Sequence, residues 1–375
     1  MRFLTTVFTS ALALCGVTAA GGLVKRASLQ QVNNFGANTS GTKMYIYVPT
    51  NLATRPAIIV AIHYCSGTAS AYYSNSPYAT LAEKYGFIVI YPESPYGGTC
   101  WDVSSTAALT HGGGADSNSI VNMVSYTLNT YNGDSKRVFV TGTSSGAMMT
   151  NVLAAAYPDV FAAGIVYAGV PATCFYTGTI NGWNSTCSQG QLDLTQEYWA
   201  NAARNAYPGY NGPRPRMRIH HGTADTTLYV QNYYETIKQW TGVFGYSTTP
   251  SQTYPNTPRS PYTRYVFGPN VEGVLGEGIT HGIDIFGDAD MEWFGFTAGN
   301  GNSTRSGWVD IANVGFKYNN HDKKCKLYFD DDDLHNKHNG HCDGRTRGAT
   351  LHSMWWDWMD GCGYVCKPIH MPEAK

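Results

Sequence analysis

The stretch from Arg137 to Tyr157 reads RVFVTGTSSGAMMTNVLAAAY, and it decides the fold. Arg137–Gly142 is a short apolar run of strand length. From Ser145 the composition turns to alanine, methionine and leucine, as in a helix. Between them lies Gly142-Thr143-Ser144-Ser145-Gly146, a G-x-S-x-G placed directly after a strand and opening a helix. That context makes the pentapeptide a nucleophile elbow: the glycines permit a tight turn, the serine stands at its apex, and the helix N-terminus offers amide dipoles to a developing oxyanion. The plainer reading is a Ser/Gly-rich connector, but strand, turn and helix in this order favour a nucleophile at Ser144.

Outward from the elbow, more apolar runs of strand length recur: Ala57–Tyr64, Phe87–Pro92, Gly164–Gly169 and Arg216–Gly222. Near-continuous hydrophobicity is expected of strands buried on both faces of a parallel sheet. Helical stretches fall between them at Ala71–Tyr85, Ser117–Tyr131, Ser145–Tyr157 and Val230–Thr241. This alternation predicts an α/β fold with a mostly parallel central sheet and helices on both faces. The alternating run Met44–Pro49 predicts an antiparallel edge strand.

A serine needs a base, and the base a carboxylate to orient it. On sheets that carry such an elbow, the acid and then the histidine follow the serine in chain order. Asp225 comes just after a strand, in HHGTADTTL, and His281 sits in the glycine-flanked loop GEGITHGID. Asp225 could instead be an Asx-turn residue, and His281 an ordinary loop histidine. His220 and His221 precede the aspartate at a strand end and read as structural. Asp284, Asp288 and Asp290 follow the histidine, in the wrong order. The loop IHYCSGT after an earlier strand points to the backbone N–H of Cys65 as one oxyanion donor, with that of Ser145 as the other. Trp101 then falls beside the mouth, either contacting substrate or packing on a disulfide.

Net charge is −1 and charged residues are 14% of the 375, which speaks against a phosphate-binding surface or a nucleic-acid partner. Residues 1–20, with one early positive charge, an apolar run and small residues, read as a secretory signal peptide. Residues 21–26 end in Lys25-Arg26, as in a dibasic propeptide. The apolar run is too short to span a membrane. An extracellular chain is expected to oxidise its cysteines. Cys15 leaves with the signal; Cys65 with Cys100, and Cys174 with Cys187, are the expected pairs. A free thiol nucleophile at Cys65 is the alternative. Asn38, Asn184 and Asn302 begin sequons and are expected on exposed loops.

The blocks ASLQQVNNFG, MYIYVP, AIHYCSGT, SPYATLAEKYGFIVIYP, CWDVSS, GTSSGAMMTNV, NYYETIKQW and DMEWFGF resemble the fungal acetylxylan esterases of carbohydrate esterase family one. The resemblance runs from Ala27 to about Phe296. It implies an α/β-hydrolase fold, removal of O-acetyl groups from xylan, and Ser144, Asp225 and His281 as nucleophile, acid and base; a monomer that works without metal or cofactor is expected. Feruloyl or polyester esterases of the same fold, and a non-catalytic wall-binding glycoprotein, are the alternatives. The family has Gly-His followed by Pro at the base, whereas this chain has Thr280-His281-Gly282-Ile283, which puts the placement of the histidine loop in question.

This coherent pattern assigns residues 27–300 to the esterase and ends near Asn300; residues 301–375 have no apolar periodicity. Cys325, His335, His338, His341 and Cys342 match no zinc spacing well. MWWDWMD, from Met354 to Asp360, is rich in single-codon residues, so a shift of one nucleotide can be worked out. It forces Cys-Gly-Gly-Ile/Thr-Gly-Trp, which resembles the opening of a fungal cellulose-binding module. The expectation is a linker and module read out of frame, with cellulose as the partner of an intact one.

Overall fold

Five near-continuous apolar runs form the buried centre of one sheet. The computed structural model describes residues 28–98 and 100–297, and four short strands beyond residue 313. Two compact units divide the chain, Met1–Gly301 and Asn302–Lys375. The first holds strands β1 (Gln30–Val32), β2 (Lys43–Tyr47), β3 (Ile58–Ile62), β4 (Ile88–Glu93), β5 (Val138–Thr143), β6 (Ala163–Tyr167), β7 (Arg216–Gly222), β8 (Gln252–Pro255), β9 (Tyr262–Gly268) and β10 (Val271–Gly276). Its helices are α1 (Ala69–Asn75), α2 (Tyr78–Tyr85), α3 (Asp116–Tyr131), α4 (Ser145–Ala156), α5 (Ser185–Ser188), α6 (Gln196–Asn205), α7 (Gln231–Phe244) and α8 (Gly287–Trp293).

The strands lie in the order β1-β2-β4-β3-β5-β6-β7-β10-β9-β8. From β4 through β10 every neighbouring pair is parallel, while β1–β2–β4 and β10–β9–β8 are antiparallel flanks. Side chains on β3 alternate between two separate cores, as the strand period of two requires. Ile58, Val60 and Ile62 pack with Ile120 and Met123 of α3 and Val152 and Leu153 of α4. Ile59 and Ala61 pack with Tyr72, Leu81 and Met291 from α1, α2 and α8. Helices therefore cover both faces, which is why these strands are apolar throughout.

Several expectations change. The helix expected over Ala71–Tyr85 is two helices, because Pro77 interrupts it: proline cannot donate into the preceding turn and disfavours helical geometry at Ser76. Met44–Pro49 supplies β2, but β1 lies outside it, so β2 is not the edge. Strands β8–β10 and helix α6 were not expected. Prolines 255, 258, 261 and 269 break up the periodicity of that segment. Asn38 is exposed; Asn184 is half-buried. The Asn184 side chain caps α5, accepting from Cys187 N–H at Oδ1 and donating from Nδ2 to the Cys174 and Tyr176 carbonyls; a glycan on Nδ2 would replace one of these two donors.

In the second unit, β11 (Val314–Asn319) pairs antiparallel with β12 (Lys324–Phe329), and β13 (Met354–Asp357) with β14 (Val365–Pro368). The leader and propeptide, Asn302, and most of the tail, including its histidines, lie outside the described residues.

Candidate active site

The turn between β5 and α4 is too tight for side chains at its two glycines. A Cβ on Gly142 would come within 2.4 Å of the Gly146 backbone, and one on Gly146 within 2.2 Å of the Ile62 carbonyl. Ser144 between them takes φ 56° and ψ −117°, the strained conformation of an elbow apex. Its N–H is held by the Tyr167 carbonyl of the neighbouring strand at 2.9 Å. The side chain is thereby lifted off the carboxyl edge of the sheet.

Two other strands present partners at the same edge. Asp225 lies three residues past β7, and His281 five past β10. The His281 Nε2 is 2.8 Å from Ser144 Oγ, and its Nδ1 is 2.7 Å from Asp225 Oδ2. A neutral imidazole protonated at Nδ1 satisfies both contacts, donating to the carboxylate and accepting from the serine hydroxyl. Ser144, Asp225 and His281 are thus brought together, and the Thr280-His281-Gly282-Ile283 loop holds the ring in contact with both partners.

The Asx-turn reading of Asp225 also describes its geometry. Oδ1 accepts from the N–H groups of Thr227 and Leu228 at 2.8 and 2.9 Å, which aims Oδ2 at the histidine. His221, expected to be structural, is part of the same arrangement. Its Nε2–H donates to the Leu228 carbonyl at 2.8 Å and lies 3.3 Å from Asp225 Oδ2. Burial by itself would raise the Asp225 carboxyl, but donors from His221, His281 and Leu228 outweigh it and hold the group well below the usual carboxylate range. His220 is structural: burial pushes it well below the ordinary histidine value, and its ring stacks on Tyr167 at 4.4 Å.

On the other side of Ser144, the loop after β3 is stapled to the loop after β4 by the Cys65–Cys100 disulfide, with Cα atoms 4.2 Å apart. The pairing removes the free thiol considered for Cys65. Among the described residues, neither the Cys65 N–H nor the Ser145 N–H donates to another protein group. Trp101 N–H donates to Ser145 Oγ at 2.8 Å, and its indole N–H to the His63 carbonyl at 2.9 Å. His63 is held in turn, accepting from Ser94 N–H at Nε2 and donating from Nδ1 to the Tyr64 carbonyl. Trp101 lines the cleft, yet it is 1% exposed and its indole N–H is already used. Of its two expected roles, the geometry favours packing. The second disulfide, Cys174–Cys187, closes the loop that carries Trp183.

The cleft over Ser144 has a volume of about 720 Å³. Its walls include Tyr64, Met148, Phe175, Trp183 and Ile283; among the described residues that line it, Asp284 and His281 are the only acid and histidine, and none is lysine or arginine. Trp183 is 54% exposed and meets Phe175 edge to face at 5.0 Å. Sequence reading missed it; the one signal was a tryptophan inside the small disulfide loop. Asp290, set aside as the acid because it follows the histidine, accepts from Tyr78 and Tyr167 hydroxyls at 2.8 and 2.7 Å, while Tyr167 accepts from the N–H of Phe286. That buried network ties α8 and the far end of the histidine loop to the sheet. Burial raises the Asp290 carboxyl to about 7.

Residues 42–226 match the Esterase PHB depolymerase family. The chain is 62% identical over 296 residues to a probable acetylxylan esterase A of Aspergillus fumigatus, covering 77% of this chain and 80% of that one. It is 59% identical over 295 residues to an acetylxylan esterase A of Aspergillus ficuum, covering 78% and 96%. The solved structure of an acetyl xylan esterase from Aspergillus awamori superposes with a TM-score of 0.71 at 60% identity, covering 72% of this chain and all of that one.

Proposed function

From the premise that this chain belongs to the fungal acetylxylan esterase A family, we propose that it is a serine carboxylic ester hydrolase that removes acetyl groups from acetylated xylan. The observation that carries the chemistry is the hydrogen-bonded series Ser144 Oγ, His281 Nε2 and Nδ1, Asp225 Oδ2, at 2.8 and 2.7 Å. Ser144 Oγ attacks the acetyl carbonyl carbon while its proton passes to His281 Nε2. Asp225 holds the ring in the required tautomer and stabilises the imidazolium. The carbonyl oxygen becomes an oxyanion accepted by the N–H groups of Cys65 and Ser145. His281 then gives its proton to the departing sugar oxygen, leaving an acetyl-serine. Water deprotonated by His281 attacks that ester and releases acetate. A cleft with aromatic walls and no lysine or arginine among its described lining residues suits a neutral sugar bearing a small acyl group.

Acetate release from acetylated xylan tests this reading. The protein should release acetate, and Ser144→Ala should lower the rate on the order of 10⁶-fold; a folded protein that releases none would sink it. The reading includes a secreted monomer and, for the region beyond about residue 300, a cellulose-binding module read out of frame. Among the described residues no helix is long and apolar enough to cross a membrane. An mRNA that keeps this frame through to Lys375 would overturn the module.

A further inference from the structure

A second cavity lies where the segment after α6 returns to the start of β7, beside the C-terminal end of α7. Its volume is about 570 Å³, and among the described residues its charged lining is Arg204 and Arg214, with no acidic side chain. It sits at the amino end of β7, whereas Asp225 follows the carboxyl end. Seven strand residues separate the two by roughly 20 Å. The cavity is therefore no extension of the catalytic cleft.

The two guanidiniums are held there by packing, by the Asn201 side chain, whose Oδ1 accepts from Arg204 Nη1 at 3.2 Å, and by backbone carbonyls, instead of by counter-charge. His111, Tyr207 and Tyr210 form a ladder of stacked rings, and Arg214 lies over the Tyr210 ring at 5.6 Å. The Tyr210 hydroxyl donates to the Pro213 carbonyl at 2.7 Å, which fixes the turn that carries Arg214. Arg204 reaches across to the last carbonyls of α7, with Nη2 2.8 Å from Gly242 O. Among the described residues neither arginine forms an ion pair, and Arg214 Nη1 is covered without a hydrogen-bond partner. Asp159, the carboxylate that acts on Tyr210, is exposed and lies outside the lining. Burial and then the Arg204 charge make the Arg214 cation less favourable than usual. In a chain of net charge −1 this concentration of positive charge is a local feature.

We propose that this cavity is a second binding site, distinct from the catalytic cleft, for the carboxylate of a uronic acid residue on an acidic polysaccharide. Planar guanidinium groups match a carboxylate through paired N–H donors. Asn205 and Asn211 on the rim, with the backbone about Gly209 and Gly212, present donors and acceptors to the hydroxyls of the same sugar. A site so far from Ser144 takes no part in ester cleavage. It raises the local concentration of an acidic polymer around the enzyme. The inference goes beyond the esterase reading and can be tested without turnover.

The test is affinity electrophoresis of full-length Ser144→Ala protein through gels containing glucuronoxylan, carboxyl-reduced glucuronoxylan or polygalacturonate. Native glucuronoxylan should retard the protein at least about fivefold more strongly than the reduced polymer, and the difference should fade as NaCl screens the charges. Arg214→Gln should abolish the difference at unchanged Tm, and Arg214→Lys should keep part of it. Polygalacturonate retarding as strongly would assign the site to uronate from either polymer, whereas retardation by glucuronoxylan alone would assign it to the side-group uronate. Equal retardation by native and reduced glucuronoxylan would overturn the proposal without any variant. So would a difference that survives Arg214→Gln. Should Arg214→Gln fail to fold, Arg204→Ala decides in its place. Acetate release by the unsubstituted protein is a separate readout, so either reading can fail alone.

Discussion

The two sides of Ser144 are built on different principles. On one side, His281, Asp225 and His221 hold one another through side-chain hydrogen bonds, and the carboxylate is displaced from its ordinary acidity by them. On the other, the Cys65–Cys100 disulfide and the Trp101–Ser145 contact position two backbone amides that carry no titrating proton. The first side depends on protonation state and the second on geometry alone. They should therefore fail differently.

The largest effect expected beyond loss of the serine is on the titrating side. Asp225→Asn should lower kcat about 10⁴-fold with KM little changed, because an amide at that position favours the wrong imidazole tautomer. A loss under tenfold would break the comparison. Next comes the geometric side: replacing Cys65 and Cys100 together by serine should cost about 10²-fold in kcat as the oxyanion donor loosens. Stability should fall by roughly 3–4 kcal/mol, measured by urea unfolding. The shape of the pH–rate profile should not move, and a shifted profile would show that this side is coupled to the triad after all.

His221→Phe should lower kcat about tenfold, the worth of one hydrogen bond to a charged group, with KM unchanged. His221→Gln, whose amide can donate to Leu228 O, should recover most of the loss. A purely packing role would make phenylalanine the better replacement.

Asp290→Asn should change the rate least, and it sharpens the comparison through stability. The native carboxyl titrates near pH 7, against about 3.9 in the unfolded chain. Between those values the native state keeps a proton the unfolded state has lost, so stability falls as pH rises from about 4 to 7 and is level above. The wild type should lose on the order of 1–4 kcal/mol across that window relative to Asp290→Asn. Parallel stability curves would refute the assignment.

The hydrogen-bonded series Ser144, His281 and Asp225 is legible in the amino-acid sequence because each member carries local punctuation: glycines about Ser144, a strand end before Asp225, a glycine-flanked loop around His281. The central strands are legible because burial on both faces leaves them apolar throughout. His221 reads as structural because nothing in HHGTAD reveals that the second histidine faces the aspartate four residues on. Trp101 stands between two roles because local sequence cannot tell an indole at a cleft mouth from one beneath it. Strands β8–β10 are hidden by Pro255 in β8 and by the prolines that flank β9, although β10 delivers His281.

What the sequence determined by itself is whatever short-range sterics and hydrophobic periodicity impose: the elbow, the parallel core, the disulfide pairs and the order of serine, acid and base. Tertiary structure alone decided what depends on residues far apart in the chain. The Trp101 backbone reaches Ser145, Phe286 is tied through Tyr167 to Asp290, and Arg204 and Arg214 line one cavity that has no acid among its described lining residues. The physical reason is range. Backbone preference and side-chain period act over a few residues, while hydrogen bonds and charges act over a few ångströms, and only the folded sheet brings such distant residues that close.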